Sequence, residues 1–357
     1  MDSLPFPQRS VPIIAESWGR IAAALVAVLT VLPAYAQSGF DEVAEVQPFI
    51  AQMVDEHQYD RAQLERLFRQ ARFQHGVLRA MARPATARPW HEFRASTITA
   101  ARLREGAEYW RRHAAALERA AAAYGVPPEI IVATIGIETV YGRALGKGRV
   151  FDALATLAFA YPPRAALFRN ELIELLLLSR EMHSDPLHYR GSFAGALGVP
   201  QFLPSSYRRH AVDFDGNGKR DLWTHADAIG SIANYYRAYG WASGQPVLVA
   251  LERTNEAPPD AFRQLLERGI QPHSSVAAFR KSGASLAGAA DDDALACAFA
   301  AETENGTAYW LGFNNFYVIT RYNRSVNYAL AVYEIAGELR RLHDAQSGEA
   351  GAAPASR

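Results

Sequence analysis

Residues 99–183 constrain the fold most, because apolar positions recur there at intervals of three and four and only short breaks interrupt them. Leu103, Ala107, Trp110, Ala114 and Leu117 predict one long helix over 99–124, ended by Gly125. Pro127 and Pro128 suit the start of the next helix, where a missing N–H costs nothing, and Gly142 offers a left-handed exit, so a helix over 128–141 follows. A Pro162-Pro163 break precedes a third helix over 164–183. Its leucine run at 175–178 is flanked by charges and reads as core, not membrane. The expected fold class is therefore mainly α.

The flanking segments extend this plan. Val46, Phe49, Ile50 and Met53 form one apolar stripe, and Leu64, Leu67, Phe68 and Ala71 another; a loop with Pro84 and Pro89 leads to Trp90 and Phe93. Helical spacing returns over 227–239 through Ile229, Ile232, Ala233 and Tyr236. Short strands are expected at 247–251, 294–300 and 308–310, in a small mixed α/β subdomain that 316–320 extends, before a last helix over 326–341. The expected order is an N-terminal helical region at 37–110, a core at 111–244, the mixed subdomain at 245–318, a C-terminal helix at 319–344 packed on the core, and a disordered tail at 345–357.

Arg9 and Arg20, an apolar run at 21–32 and Ala34-Tyr35-Ala36 read as a cleavable export signal over 1–36. The competing reading is a short buried helix, since the leader is long and holds Glu16. Neither that run nor any later stretch is long and apolar enough to span a bilayer. Cys297 is the only cysteine, which rules out an intrachain disulfide. No cysteine stands beside the cleavage site, so a soluble, exported protein without a lipid anchor is expected. Lys plus Arg and Asp plus Glu both total 37, leaving no basic field to recruit nucleic acid.

Three stretches carry chemistry. At 100° per residue Glu138 shares a face with Ile131, Thr134, Ile135 and Tyr141, opposite Glu129, Ala133, Gly136, Val140 and Arg143. A carboxyl among apolar side chains is either a structural group satisfied by a distant partner, or an acid whose raised pKa lets it exchange a proton at neutral pH. Residues 191–207, GSFAGALGVPQFLPSSY, place Ser192 and Gln201 in a glycine-rich loop, either to hold a polar ligand or as packing. Asp213-Phe214-Asp215-Gly216-Asn217-Gly218, with Lys219 at position 7, resembles a calcium loop, though Thr224 replaces the usual Glu at position 12 and the next carboxylate is Asp227. An Asx-turn hairpin without metal is the alternative.

These stretches, with YGVPPEIIVATIGIETVYGR ending at Arg143 and NFYVITRYNRSVNYALAVYEIA ending at Ala336, resemble the lytic murein transglycosylase B family over residues 40–343. The resemblance implies a lysozyme-like helical core that cleaves the bond between N-acetylmuramic acid and N-acetylglucosamine without water. It makes Glu138 the sole catalytic acid and base, and lines the sugar groove with Ser192, Gln201, Tyr235, Tyr322, Asn323 and Tyr328. Phe93, also placed with the substrate-binding residues, stands near where the resemblance implies a Tyr, keeping a ring that can pack and losing a hydroxyl contact. Asp213, Asp215, Asn217, the Lys219 carbonyl and Asp227 match a long calcium loop of structural role, with no organic cofactor. Peptidoglycan strands in the periplasm, and other cell-wall enzymes, are the implied partners.

The chemistry agrees with the residues. A hydrolase of the usual kind needs two carboxylates, whereas here one motif supplies one acid. Two rivals stay open: a lysozyme-type hydrolase with Asp152 or Glu171 as second carboxylate, and an inactive wall-binding protein.

Overall fold

Helix α1 (Val46–His57) and helix α2 (Arg61–Gln70) bury the stripes expected of them, Val46, Phe49, Ile50 and Met53 on one and Leu64, Leu67 and Phe68 on the other. The Asp60 carboxylate caps α2 by accepting the Gln63 N–H at 2.7 Å, and the Phe68 ring meets Phe49 edge-on at 5.8 Å. The computed structural model describes residue 40 and residues 43–81, 88–252 and 257–351. The expected export segment, the Pro84 loop and residues 352–357 lie outside the described residues. The chain separates into two compact units, up to Phe73 and from Gln74 onward, whereas the sequence pattern draws its boundaries at 110, 244 and 318.

The second unit opens with α3 (His75–Met81), α4 (Trp90–Thr97), α5 (Ala100–Arg112), α6 (Ala114–Tyr124) and α7 (Pro128–Thr139). The single helix expected over 99–124 is broken at His113, which leaves helical geometry at φ −113° and ψ 20°. Its ring is held by Tyr109 at 4.4 Å and His225 at 4.7 Å, a tertiary preference that overrides local helix propensity.

Helix α7 ends at Thr139, two residues early, because Val140 and Tyr141 take left-handed φ values of 50° and 60° ahead of Gly142. It is also not one-sided. Ala133 and Gly136, expected on the outer face, are as buried as Ile131 and Ile135, since the C-terminal helix (Val326–Gly351) and α5 pack on α7.

Next come β1 (Gly148–Arg149), α8 (Val150–Ala160), a 3-10 turn at Pro162–Arg164, α9 (Ala165–Glu181), β2 (Arg190–Gly191), α10 (Pro204–His210) and α11 (His225–Ala238). The prolines take up the first turn of the helix expected from 164, and the leucine run at 175–178 lies in the core as expected. Strands β1 and β2 pair antiparallel, Gly148 with Gly191 and Arg149 with Arg190.

Strand β3 (Leu248–Ala250), α12 (Asp260–Leu266), β4 (Ser274–Ser275), α13 (Val276–Lys281), β5 (Leu295–Thr303) and β6 (Gly306–Gly312) form an antiparallel sheet of order β3-β6-β5-β4 with two helices. Its core is its own: Phe262, Val276, Phe279, Ala298 and Leu311. The stretch 316–320 is not part of it but lies in α14 (Asn314–Tyr322), whose start is fixed by the buried Asn315 amide donating to the Ala242 and Gln245 carbonyls. Helix α15 (Val326–Gly351) runs past His343, so the tail expected to be disordered is helical to Gly351. Among the described residues no single helix is long and apolar enough to cross a membrane, and the pair α6 and α7, which together have the composition, is bent by 115°.

Candidate active site

Because α7 is buried from Ile130 to Gly136 and again at Thr139, a carboxyl at its C-terminal end sits close to apolar groups. Glu138 is half-buried there, and burial pushes its pKa from the ordinary 4.5 up to about 7, against the opposing effect of a hydrogen bond from Tyr328. The Tyr328 hydroxyl donates to Glu138 Oε1 at 2.6 Å.

Tyr328 stands on α15 and stacks on Tyr322 of α14, with ring centroids 6.3 Å apart and planes within 10°. Tyr322 donates to the Pro200 carbonyl at 2.5 Å and lies 4.9 Å from Tyr235. Tyr235 donates to the Arg321 carbonyl at 2.6 Å. All three hydroxyls thus donate within the protein and keep acceptor lone pairs as well as ring surface; Tyr328 braces Glu138 and Tyr322 the 191–207 loop.

That loop is rigid. Ser192 Oγ accepts the N–H groups of Ala194 and Ala196, so its own proton is free to donate. Gln201 holds a left-handed φ of 53°, and its amide nitrogen donates to the carbonyls of Gly198 and Leu145, which leaves Oε1 as an acceptor. Thr139, next to Glu138, donates to the Val199 carbonyl at 3.0 Å, tying α7 to the loop.

Asn323 is exposed at the end of α14 beside Tyr322. Phe93 does not join this group. It is 6% exposed, packed on Trp90 at 6.3 Å, and has no ring contact with the tyrosines among the described residues. Its apolar ring was drawn into the packing of α4 on α15 and β5.

Tyr236 went unassigned in the sequence because it reads as one more core residue on its stripe. It is fully buried, 5.5 Å from Tyr322, and its hydroxyl donates to Thr134 Oγ1, which itself donates to the Ile130 carbonyl. The two rival carboxylates are engaged elsewhere. Asp152 accepts from Arg149 at 2.8 Å, and Glu171 accepts both the N–H and the hydroxyl of Ser205.

The loop at 213–219 is knitted by its own side chains. Asp213 accepts the N–H groups of Gly216, Asn217 and Gly218, Asp215 that of Asn217, and Asn217 that of Lys219. Asp227, fully buried in the first turn of α11, accepts from Phe214, Asp215 and Asp221. Asx turns are therefore present, yet they do not account for the convergence of Asp213, Asp215 and Asp227, whose carboxylate oxygens lie within 4.8 Å of one another. An all-oxygen set of this kind fits a hard cation such as calcium.

Comparison with known proteins places the chain in a family. The family model described as "Transglycosylase SLT domain" matches residues 41–337. Membrane-bound lytic murein transglycosylase B of Escherichia coli (strain K12) is 42% identical over 305 residues, 81% of each chain. The soluble lytic transglycosylase SltB1 of Pseudomonas aeruginosa superposes with a TM-score of 0.77 at 44% identity, covering 84% of this chain and 99% of that one. The Escherichia coli lytic transglycosylase Slt35 in complex with calcium gives 0.76 at 39% identity, covering 87% and 98%. The chain accordingly belongs to the SLT-domain transglycosylase family and is a lysozyme-like lytic transglycosylase acting on peptidoglycan.

Proposed function

We propose that Glu138 alone serves as acid and then base in cleaving the β-1,4 bond between N-acetylmuramic acid and N-acetylglucosamine. The observation that carries this reading is a carboxyl with its pKa near 7 and, among the described residues, a single hydrogen-bond partner, Tyr328, set beside a hydrogen-bonded polar loop. Such a group is substantially protonated at neutral pH and can give its proton to the leaving glycosidic oxygen. Positive charge then builds on the muramic ring, where the sugar's own acetamido group stabilises it. Glu138, now ionised, takes the proton of the 6-hydroxyl, which attacks to close a 1,6-anhydro ring. Intramolecular attack avoids the entropic cost of recruiting a water.

A hydrolase would need a second carboxylate near the same bond, and the ties of Asp152 and Glu171 to structural partners weigh against it. Ser192 as donor, Gln201 as acceptor, exposed Asn323 and the faces of Tyr235, Tyr322 and Tyr328 are the groups we assign to the sugar groove; Phe93 acts at most through packing.

Asp213, Asp215, Asn217, the Lys219 carbonyl and Asp227 would hold calcium, which supplies neutralising charge that locks the loop against α11. The ion's role is structural, because Glu138 stands outside that loop. The export-like segment supports action on peptidoglycan strands in the periplasm.

Digestion of purified peptidoglycan with the wild type and Glu138→Gln, followed by mass spectrometry, tests the reading. Fragments about one water lighter than reducing-end products, made by the wild type alone, are expected. Reducing-end fragments would reinstate the hydrolase.

A further inference from the structure

Glu171 is 3% exposed on α9, and no cation pairs with it among the described residues; Glu174, on the same helix, takes Arg208 instead. A lone buried carboxylate costs more than an apolar side chain of its size, so filling the core does not account for it. Both of its oxygens go to one residue. Oε2 accepts the Ser205 N–H at 2.9 Å and Oε1 accepts the Ser205 hydroxyl at 2.6 Å. Charge-assisted bonds of this kind are the strong ones, and together they pin the first turn of α10 to α9.

The chain just before that turn carries Gln201. Although it has a Cβ, Gln201 sits at a left-handed φ of 53°, a conformation that persists only where the surroundings impose it. They do so from both sides. Ahead of it, the Pro200 carbonyl is held by the Tyr322 hydroxyl. Behind it, Phe202 exchanges backbone bonds with Leu197 at 2.8 and 3.1 Å and sets its ring against Tyr235 and Tyr322 at 5.4 and 5.8 Å. Pro204 has no N–H to give, so the outer anchor on that side falls to Ser205 and thus to Glu171.

We propose that Glu171 is a positioning residue for the reaction: through Ser205 it holds the 200–205 segment so that the Gln201 amide keeps its acceptor oxygen in place for the glycan. Glu171 itself touches no substrate. The inference rests on the assignment of Gln201 to the sugar groove.

The test is steady-state kinetics of Glu171→Gln, Ser205→Ala, Gln201→Ala and the double variant Glu171→Gln with Gln201→Ala on soluble, uncrosslinked glycan strands, with Tm measured alongside. Losing a contact made equally to substrate and transition state raises KM and spares kcat, whereas a partly unfolded preparation loses kcat and keeps KM. Glu171→Gln should raise KM about fivefold or more with kcat within about twofold of the wild type. Ser205→Ala, which keeps the N–H bond, should raise KM about twofold. The double variant should have no higher KM than Gln201→Ala alone, because both changes act on one contact. Should Glu171→Gln fail to fold, Ser205→Ala and its combination with Gln201→Ala carry the same comparison. An unchanged KM in Glu171→Gln, or in Ser205→Ala where only that variant folds, would overturn the proposal, as would KM increases that multiply in the double variant. Gln201→Ala with a normal KM would instead remove Gln201 from the groove and the inference with it.

Discussion

The Tyr328 hydroxyl donates to Glu138 Oε1 across 2.6 Å, and it is the one hydrogen bond the Glu138 side chain makes among the described residues. This bond favours the ionised carboxylate and so works against burial, which favours the neutral acid; burial dominates and the pKa stands at about 7. Tyr328→Phe removes the opposing effect and shifts the pKa further up. The alkaline limb of the pH–rate profile should move to higher pH, while the maximal rate falls about tenfold because the acid is no longer held in place. A limb that stays put or moves down would show that the hydroxyl does not act on Glu138.

Glu138→Gln keeps the Tyr328 contact and removes the proton donor, so the rate should fall by at least two to three orders of magnitude with the fold intact. Its stability carries a sign of its own. The folded pKa near 7 lies above the ordinary 4.5, so the folded state binds the proton more tightly and stability declines as pH rises from 4.5 to 7. Above that window the wild type bears a penalty on the order of 3 kcal/mol that the variant lacks. Melting curves should therefore show Glu138→Gln with the higher Tm at pH 8 and no gain near pH 4.5.

Three carboxylates within 4.8 Å repel one another unless a cation joins them. Calcium should raise the Tm. Asp213→Ala should abolish the rise and also lower the basal Tm, because Asp213 accepts three backbone N–H groups; Asp215→Asn, which keeps the shape and loses the charge, should weaken the rise without that basal cost. Identical melting curves in calcium and in chelator would remove the metal from the account.

How much of this was legible in the sequence follows from what kind of signal each residue leaves. Glu138, Ser192, Gln201 and the Asp213 loop stand out because a carboxylate in an oily helix, polar groups between glycines and oxygens at alternate positions are local patterns. Asp227 stood out only as the next carboxylate after the loop, its place as a ligand came from family resemblance, and the fold brings it back through the turn before α11. The break at His113 was not legible, since the ring contacts that cause it come from His225, 112 residues away. The donor bonds of Tyr235, Tyr322 and Tyr328 were not legible for a similar reason: a tyrosine's sequence context does not reveal which acceptor its hydroxyl meets. Phe93 is buried because an apolar ring is taken into the core wherever it can be.

Gly136 gives the last prediction, in which helix propensity and packing have opposite signs. In an exposed helix, glycine to alanine gains about 1 kcal/mol by reducing the freedom of the unfolded chain. At Gly136 a Cβ would lie 2.6 Å from the Tyr141 hydroxyl and 2.7 Å from the adjoining ring carbon. The ring has nowhere to go. Its far side lies against Gly106 of α5, its hydroxyl donates to the Arg102 carbonyl at 2.9 Å, and its backbone is already left-handed at φ 60°. Overpacking of this kind costs about 1–3 kcal/mol, so Gly136→Ala should lower the Tm despite its better helix former. Glu138 is two residues on, so displacement of Tyr141 and the helix end should also cut the rate more than Ala133→Gly, which loosens the same helix without a clash. A Gly136→Ala protein as stable and active as the wild type would show that α7 tolerates movement at its catalytic end.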